Sequence, residues 1–335
     1  MTFAVILAIV FSIAVVGTGL VRRYAITHRL LDVPNLRSSH QAPKPRGGGI
    51  AIVGAASVGL ALGFAAGEIN GRVALAVLAG GLMVATIGFV DDHRSVPPGG
   101  RLVVHFTAAA MALACLGGLS PVVFGLRPDL SWVSNTLALI GTVWLLNLYN
   151  FMDGIDGIAS VEAAAVGISA SIIYAVSQAP ADATRAPLLL AAAALGFLVW
   201  NFPPAKIFMG DAGSGFIGFV LAVLAIQSAH VAPLMVWSWT ILLGVFVVDA
   251  TLTLFVRMAR RERLHEAHRS HAYQHAARSF GGHGRVTVAV GAIGLCWLLP
   301  IALLLATHRL HPALAVLIAY APLVPSGVAL RAGRA

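Results

Sequence analysis

Long runs of apolar residues alternate with short polar segments along the whole chain. Eleven runs come close to or exceed the roughly 18 apolar residues that a membrane-spanning helix needs. They cover approximately residues 3–21, 47–66, 72–90, 102–119, 130–149, 158–177, 186–203, 213–229, 231–256, 286–307 and 312–330. The pattern predicts an all-α integral membrane protein, a polytopic bundle of about 11 transmembrane helices that forms one multi-pass domain over residues 1–335.

The composition excludes an ordinary soluble domain. Hydrophobic residues make up 59% of the chain and charged residues only 10%, whereas about a quarter of the residues of a soluble domain are charged. We therefore expect membrane lipids around the protein and no nucleic-acid partner. The two cysteines, Cys115 and Cys296, fall inside predicted spans, which favours apolar packing over a disulfide.

The distribution of basic residues predicts the orientation in the membrane. The N-terminal apolar run lacks a preceding basic segment and is followed by Arg22 and Arg23, so it is not read as a cleavable signal. With eleven spans, only four of the 22 basic residues lie on the side of the N-terminus, so the other 18 share the opposite side. That bias places the N-terminus in the periplasm and the second set of loops in the cytoplasm. The four exceptions are Arg72, Arg127, Arg185 and Arg309.

Acidic residues gather in three of the predicted cytoplasmic loops. They are Asp91 and Asp92 in GFVDDHRS, Asp153 and Asp156 in NLYNFMDGIDGIAS, and Asp211 in KIFMGDAGSGFIGF. Acids contribute little to membrane orientation, so topology does not account for them. Three acidic clusters on one face indicate a site for a divalent cation that in turn binds phosphate.

Each cluster also has a purely structural interpretation. Asp91 and Asp92 could end a helix in water, although acids there oppose the helix dipole. Asn147, Asn150, Asp153 and Asp156 recur every three residues, which predicts a polar stripe on a helix-like turn, or else an Asx-rich turn with caps. Asp211 could be the N-cap of the following helix, or that helix N-terminus could bind phosphate.

Two further features stay open on the residues alone. The loop 257–285 is basic and contains His265, His268, His271, His275 and His283, which fits a metal site, a patch for anionic lipid or a solvated basic face. Asp249 lies inside a predicted span, where an acid usually faces the protein interior or a cavity. It could serve substrate or pair with an arginine or a hydroxyl group.

Taken together, the motifs resemble those of the polyprenyl-phosphate N-acetylhexosamine-1-phosphate transferases of glycosyltransferase family 4. Four stretches carry the resemblance in order: PNLRSSHQAPKPRGGG, GFVDDHRSVPPGGRLVVHF, NLYNFMDGIDGIAS and KIFMGDAGSGFIGF. The resemblance implies transfer of a sugar-1-phosphate from a UDP-N-acetylhexosamine to undecaprenyl phosphate with release of UMP. It also implies Mg²⁺, or Mn²⁺ in its place, as cofactor, and a bacterial inner membrane with the active site formed by cytoplasmic loops.

The resemblance assigns roles to residues by their place in these motifs. It implies Asp211, Asp91 and Asp92 as metal ligands and, with His271, as catalytic residues. It implies a substrate-binding set of Lys44, Arg101, Asn147, Asn150, Asp153, Asp156, Asn201, Phe208 and Arg269, in which Asp156 and Phe208 lie near the uracil and Arg269 near the diphosphate.

Two departures from the family pattern refine this expectation. The loop reads RSHAYQ, so Tyr273 and Gln274 stand where the family commonly has histidines. The histidine run typical of the phospho-MurNAc-pentapeptide branch is absent, which favours a donor used to start O-antigen or another envelope polysaccharide. A metal or anion transporter is the alternative function, because it would use the same acids and histidines. A homodimer stays open as an assembly state.

Overall fold

The computed structural model describes residues 1–34, 42–262 and 268–334. Across these residues the chain is almost wholly helical, as the apolar runs predict. The helices are α1 Phe3–Thr27, α2 Gly49–Ala65, α3 Gly71–His93, α4 Pro98–Leu116, α5 Ser131–Met152, α6 Ile158–Val176, α7 Ala181–Asn201, α8 Asp211–Val231, α9 Met235–Leu242, α10 Gly244–Ala259, α11 Ala272–Ser279, α12 His283–Ile293, α13 Leu299–Ala306, α14 Pro312–Tyr320 and α15 Leu323–Ala329. Short 3₁₀ turns occupy Pro121–Phe124 and Pro128–Leu130, and a π-helical turn, Gly294–Leu298, joins α12 to α13.

Each of the eleven predicted spans has a helical counterpart, but fewer helices qualify as spans by length and apolarity. Eight helical stretches in the described residues are long and apolar enough to cross a membrane, and nine qualify if the bent pair α9–α10 is one span. The helix α2 has 17 residues and falls just short. The helix α5 has 22 residues, including Asn135, Asn147 and Asn150, and is not among the eight. The multi-pass membrane architecture is confirmed, and the count of eleven exceeds what length and composition support.

The helix α8 lies at the centre of the bundle. In its most apolar stretch, 89% of the residues are buried. The helix packs chiefly against α3 and α5. Its core side chains include Phe216 and Phe219, both fully enclosed. The rings fit because α3 offers only backbone opposite them: a Cβ added at Gly80 or Gly81 would collide with one of the two phenylalanines. Small residues of this kind allow helices to approach closely in membranes.

A short two-stranded pairing organises the segment before α2. Leu31–Asp32 (β1) pairs antiparallel with Lys44–Pro45 (β2). The segment around Phe208 is hydrogen-bonded to the chain that follows β2. The Phe208 N–H donates to the Pro45 carbonyl oxygen at 2.8 Å, and the Gly48 N–H donates to the Phe208 carbonyl oxygen at 2.9 Å. Lys44 and Phe208 are thereby brought to the same end of the bundle as the start of α8.

The C-terminal third is less regular. The axes of α9 and α10 differ by 69° across the break at Leu243, so Asp249 on α10 lies near the loop that precedes α11. Both cysteines are free thiols within helical stretches, as expected; Cys115 packs against the core, whereas Cys296 is exposed.

Candidate functional site

Three of the predicted aspartates form one cluster that two arginines hold together. The Arg101 Nη1 atom lies 2.5 Å from Asp91 Oδ2 and 3.3 Å from Asp211 Oδ2. The Arg46 Nη2 atom lies 2.9 Å from Asp92 Oδ1 and 2.6 Å from Asp211 Oδ1. The acids at the end of α3 and the start of α8 therefore share their counter-ions, with Asp211 between the two arginines.

Asp92 has a structural task in addition to its ion pair. The backbone N–H groups of Asp211 and Ala212 donate to its two carboxylate oxygens at 3.0 and 3.3 Å. A carboxylate in this place satisfies orphan donors at a helix N-terminus and complements the helix dipole. The alternative that Asp211 caps α8 is therefore wrong, since Asp92 caps this helix from α3. The alternative that Asp91 and Asp92 merely end α3 in water is also wrong, because only 3% of the Asp92 side chain is exposed.

Close backbone packing brings these groups together. A Cβ added at Gly88 would lie 2.6 Å from the Asp211 carbonyl oxygen, and one added at Gly210 would lie 2.6 Å from Asp92 Oδ2. Gly210 also has φ +80°, which L side chains rarely adopt. The approach of α3 to the first turn of α8 thus requires glycine at both positions.

The predicted polar stripe of the second motif is only partly correct. The helix α5 ends at Met152, so Asp153 and Asp156 lie beyond it and do not continue its face. Asn150 does reach the cluster: its Nδ2 donates to Asp211 Oδ2 at 3.4 Å, and its Oδ1 accepts from the Ser214 hydroxyl at 3.0 Å. Asn147 instead donates back to the Val143 carbonyl oxygen at 2.7 Å and contacts the His105 ring at 3.5 Å.

Asp153 experiences the negative charge of the cluster. Burial, followed by the negative charge of Asp211, raises the pKa of the Asp153 carboxyl well above its usual value. Conversely, Asp92 and Asp211 hold the pKa of the Arg46 guanidinium above its usual value even though burial alone would lower it. The carboxylates around Asp153 therefore repel one another, and a cation bound among them would reduce that repulsion.

A second group of side chains surrounds Asp156, next to β2. The Asp156 Oδ2 atom accepts from the Ala205 N–H at 2.9 Å and lies 3.5 Å from Lys44 Nζ, while Oδ1 lies 3.3 Å from His283 Nδ1. Burial would raise the pKa of Asp156, but these hydrogen bonds and charges lower it below the usual value. The Lys44 ammonium is also 5.3 Å from the centre of the Phe208 ring. Lys44 therefore contacts both Asp156 and Phe208, and these three residues are referred to below as the wall.

Asn201 is a structural link between two loops. Its Oδ1 accepts from the Gly157 N–H and its Nδ2 donates to the Ile207 carbonyl oxygen, both at 2.9 Å. The side chain is 3% exposed, and these two bonds hold the loop of Asp156 against the loop of Phe208. Both polar ends of the Asn201 side chain are thus occupied by backbone partners, and its role in substrate binding stays a prediction.

The described histidines of the loop 257–285 do not assemble into one metal site. His271 is buried and its Nδ1 lies 3.2 Å from Asp249 Oδ1. His275 contacts the Arg334 carbonyl oxygen and His283 contacts Asp156, so the histidines face different neighbours. Burial, with the electrostatic influence of His271 and Arg257 as lesser causes, lowers the pKa of His268 to about 4. Arg269 is exposed, and His265 lies outside the described residues.

The residues Arg46 and His283 were missed as site residues by sequence reasoning. Arg46 belongs to the basic PKPRGGG stretch, but no spacing rule relates it to Asp92 and Asp211, which are far away in sequence. His283 lies in the histidine-rich loop, yet nothing there indicates Asp156 as its partner. Both contacts arise from helix packing, so one sequence alone offered only the signal that basic residues crowd these loops.

In the described part of the chain, no three His, Cys, Asp or Glu side chains surround a point where a metal ion could sit. Among Asp91, Asp92 and Asp211, the positive charge comes from Arg46 and Arg101. The donor set nonetheless suits a hard cation, because carboxylate and amide oxygens are the ligands that Mg²⁺ prefers. Among the described residues, the ion pairs of Asp91, Asp92 and Asp211 are formed with two cations, Arg46 and Arg101, and Asp153 experiences the negative charge of the same group.

Comparison with known proteins agrees with the motif-based resemblance. Residues 74–229 match the model of glycosyl transferase family 4. The family 4 segment runs from α3 to α8 and contains every carboxylate of the cluster, whereas Lys44, Arg46 and His271 lie outside it.

Individual relatives extend the family 4 likeness over more of the chain. A probable undecaprenyl-phosphate N-acetylglucosaminyl 1-phosphate transferase of Bacillus subtilis (strain 168) is 29% identical over 281 residues, which are 82% of this chain and 76% of that protein. A decaprenyl-phosphate N-acetylglucosaminephosphotransferase of Mycolicibacterium smegmatis is 33% identical over 240 residues, 64% of this chain and 57% of that protein. A phospho-N-acetylmuramoyl-pentapeptide-transferase of Moorella thermoacetica is 32% identical over 189 residues, 52% and 57%. The chain thus spans just over half the length of the last two relatives. Because both branches are represented, the branch within family 4 stays a prediction.

Proposed function

We propose that this protein transfers an N-acetylhexosamine-1-phosphate from a UDP-sugar to undecaprenyl phosphate and releases UMP. The observation that carries the proposal is the cluster of Asp91, Asp92 and Asp211 with Arg46 and Arg101, placed at one end of apolar membrane helices. The names of the relatives support the same reaction class.

The position of the cluster suits the two substrates. A nucleotide sugar is water-soluble, whereas a polyprenyl phosphate keeps its tail in the membrane and its phosphate at the surface. A charged cluster at the ends of α3 and α8 lies where both phosphates can meet. Its arginines can bind phosphate oxygens in the bidentate geometry that guanidinium groups favour.

The two parts of the site take different portions of the donor. We assign the uracil to the wall of Lys44, Asp156 and Phe208, where the Phe208 ring offers a flat apolar face and Asp156 a hydrogen-bond acceptor. The diphosphate falls between this wall and the cluster, within reach of Arg46. His271 and Arg269 would contact the diphosphate and sugar from the α11 side.

Mg²⁺ fits the donor set, with Asp211, Asp91 and Asp92 as the proposed ligands and Asn150 and Asp153 beside them. When bound, the ion would neutralise phosphate oxygens and stabilise the charge that develops in transfer. Arg46 and Arg101, which pair with these carboxylates, would bind substrate phosphate oxygens beside the ion.

The reaction is a phosphoryl transfer between two anions. An oxygen of the lipid phosphate forms a bond to the phosphorus that bears the sugar, and the bond from that phosphorus to the bridging oxygen of the UDP-sugar breaks. The electron pair and the bridging oxygen leave with UMP. Most of the acceleration in such transfers comes from positioning and electrostatic stabilisation, which Arg46, Arg101 and Lys44 supply here.

The cellular setting is part of the proposal. The 18-to-4 distribution of basic residues supports a bacterial inner-membrane protein with a periplasmic N-terminus and a cytoplasmic active site. The missing histidine run supports a product that starts O-antigen or another envelope polysaccharide.

The test is a donor screen with purified protein in detergent. We expect UMP release from UDP-GlcNAc or a related UDP-N-acetylhexosamine that requires both undecaprenyl phosphate and Mg²⁺. UMP release without the lipid, or none from any donor by protein that binds UDP-sugar and lipid, would contradict the proposal. Ion uptake into liposomes by the same preparation would favour the transporter alternative.

A further inference from the structure

Asp249 is a buried acid on the membrane helix α10 whose partners are all within hydrogen-bond distance. Its Oδ1 accepts from the Ala272 N–H at 2.9 Å, from the Thr253 hydroxyl at 3.2 Å and from His271 Nδ1 at 3.2 Å. Its Oδ2 accepts from the Tyr273 N–H at 2.9 Å. Three consecutive residues, 271–273, therefore depend on one carboxylate that is 6% exposed.

This carboxylate lies at the N-terminus of α11. Two free N–H groups of the first turn donate to it, which satisfies donors that a helix cannot pair itself. The backbone of His271 is fixed as well, because its N–H donates to Gln274 Oε1 at 3.2 Å. The segment that carries His271 is thus held from both sides.

The same carboxylate determines which nitrogen of His271 carries the proton. We assign the proton to the Nδ1 atom of His271, because its partner at 3.2 Å is a carboxylate oxygen, which accepts hydrogen bonds. The Nε2 atom is then the one left for a substrate, either as a base or, once protonated, as a cation. Neighbouring rings restrict the imidazole further, since His268 and Tyr273 stack at centroid distances of 4.9 and 5.6 Å.

The held segment also reaches the acidic motif. The Tyr273 hydroxyl donates to the Phe151 carbonyl oxygen at 3.0 Å, two residues before Asp153. This hydrogen bond joins the first turn of α11 to the end of α5, directly before the loop that contains Asp153.

We propose that Asp249 is a positioning residue for His271: it holds Nδ1–H so that Nε2 faces the diphosphate of the donor, and it fixes the first turn of α11 against the acidic loop. This inference rests on the proposed function, in which His271 contacts the donor. Of the two alternatives that the sequence left open for Asp249, the pairing with a hydroxyl group is present, through Thr253, and the service to substrate is the part proposed here.

The variant Asp249→Asn is the sharpest mutational test. Both carboxylate oxygens accept N–H groups, so an amide in the same place must turn its NH₂ towards at least one donor. We expect kcat to fall by about 10²- to 10⁴-fold, the range of a general acid–base contribution, with KM for both substrates within about threefold. The matched control is Thr251→Val on the same helix, which removes a buried hydroxyl that has no partner among the described residues and should leave kcat unchanged.

A double-mutant cycle separates positioning from general destabilisation. If Asp249 acts through His271, then Asp249→Asn should cost little further activity in a His271→Ala background, because residues that act as a unit are not additive. Full additivity of the two losses would overturn the proposal. So would wild-type activity of His271→Ala, since there would be nothing to position.

A second readout is independent of activity. Nitrogen-15 NMR of histidine-labelled wild-type protein in micelles, with the His271 signal assigned through His271→Asn, should report protonation at Nδ1. The opposite tautomer would overturn the proposal even if no variant folds. If the purified protein transfers no sugar-phosphate at all while His271 shows Nδ1–H, the proposed function fails and the Asp249–His271 bond stands.

Discussion

The ring centre of Phe208 lies 5.3 Å from the Nζ atom of Lys44. Stacking of a base on an aromatic ring contributes about 1–3 kcal/mol. If uracil stacks on Phe208, Phe208→Ala should weaken UDP-sugar binding by about 5- to 150-fold, whereas Phe208→Tyr and Phe208→Trp should keep most of it. Calorimetric titration of UDP-sugar and of undecaprenyl phosphate to each variant is the measurement.

The control for this prediction is Phe64→Ala, which removes an aromatic ring that is 58% exposed at the far end of α2 from Lys44. It should leave UDP-sugar binding unchanged. If Phe208→Ala loses the lipid phosphate as badly as the nucleotide, Phe208 is a packing residue and does not stack on the base.

Asp211→Asn tests the centre of the cluster. Since Asp92 supplies the cap of α8, the Asn variant should insert and fold normally. It should lose activity by orders of magnitude, because the charge that holds Arg46, Arg101 and the proposed Mg²⁺ is gone. Turnover across an Mg²⁺ titration is the measurement, and Asp129→Asn, in an exposed ion pair with Arg127, is the matched control. Near wild-type turnover at saturating Mg²⁺ would exclude Asp211 as a ligand.

Tyr273→Phe tests the link between α11 and the acidic loop. The change keeps the ring and removes the hydroxyl that donates to Phe151, a hydrogen bond that contributes about 0.5–1.5 kcal/mol. We expect KM for UDP-sugar to rise by about 2- to 13-fold together with a lower thermal unfolding temperature. The comparison variant is Tyr320→Phe, which loses a bond to the Thr240 carbonyl oxygen on distant helices and should lower stability alone. An unchanged KM in Tyr273→Phe would mean that the link does not affect the nucleotide site.

Cysteine labelling tests the membrane orientation. In a background without Cys115 and Cys296, single cysteines at the exposed positions Ser95 and Ser279 should react with impermeant maleimide only after the inner membrane is opened. Cysteines at the exposed positions Asp129 and His308 should react in intact spheroplasts. Labelling of Ser95 and Asp129 positions from the same side would contradict the proposed orientation.

The convergence of the acids was predictable, because loops at alternate helix ends share one side of the membrane. The partners of those acids were not. Whether Asp211 caps its own helix or pairs with Arg46 depends on how closely α3 approaches α8, and that distance is set by tertiary packing at Gly88. For the same reason the sequence indicated a polar stripe on one helix face, formed by Asn147, Asn150, Asp153 and Asp156 at three-residue spacing. The helix α5 ends at Met152, so Asp153 and Asp156 do not lie on that face.

The backbone contact at Gly88 sets a limit on changes of chain length. With no side chain between α3 and the first turn of α8, the spacing of the Asp91–Asp92 pair from Asp211 is fixed by main-chain atoms. Removing one residue between Gly71 and Gly88 would rotate both acids by roughly 100° about the helix axis, given 3.6 residues per turn, and no side-chain replacement could turn them back. Insertions and deletions should therefore be tolerated in the segment 117–130 on the opposite side of the membrane, and rejected along the length of α3.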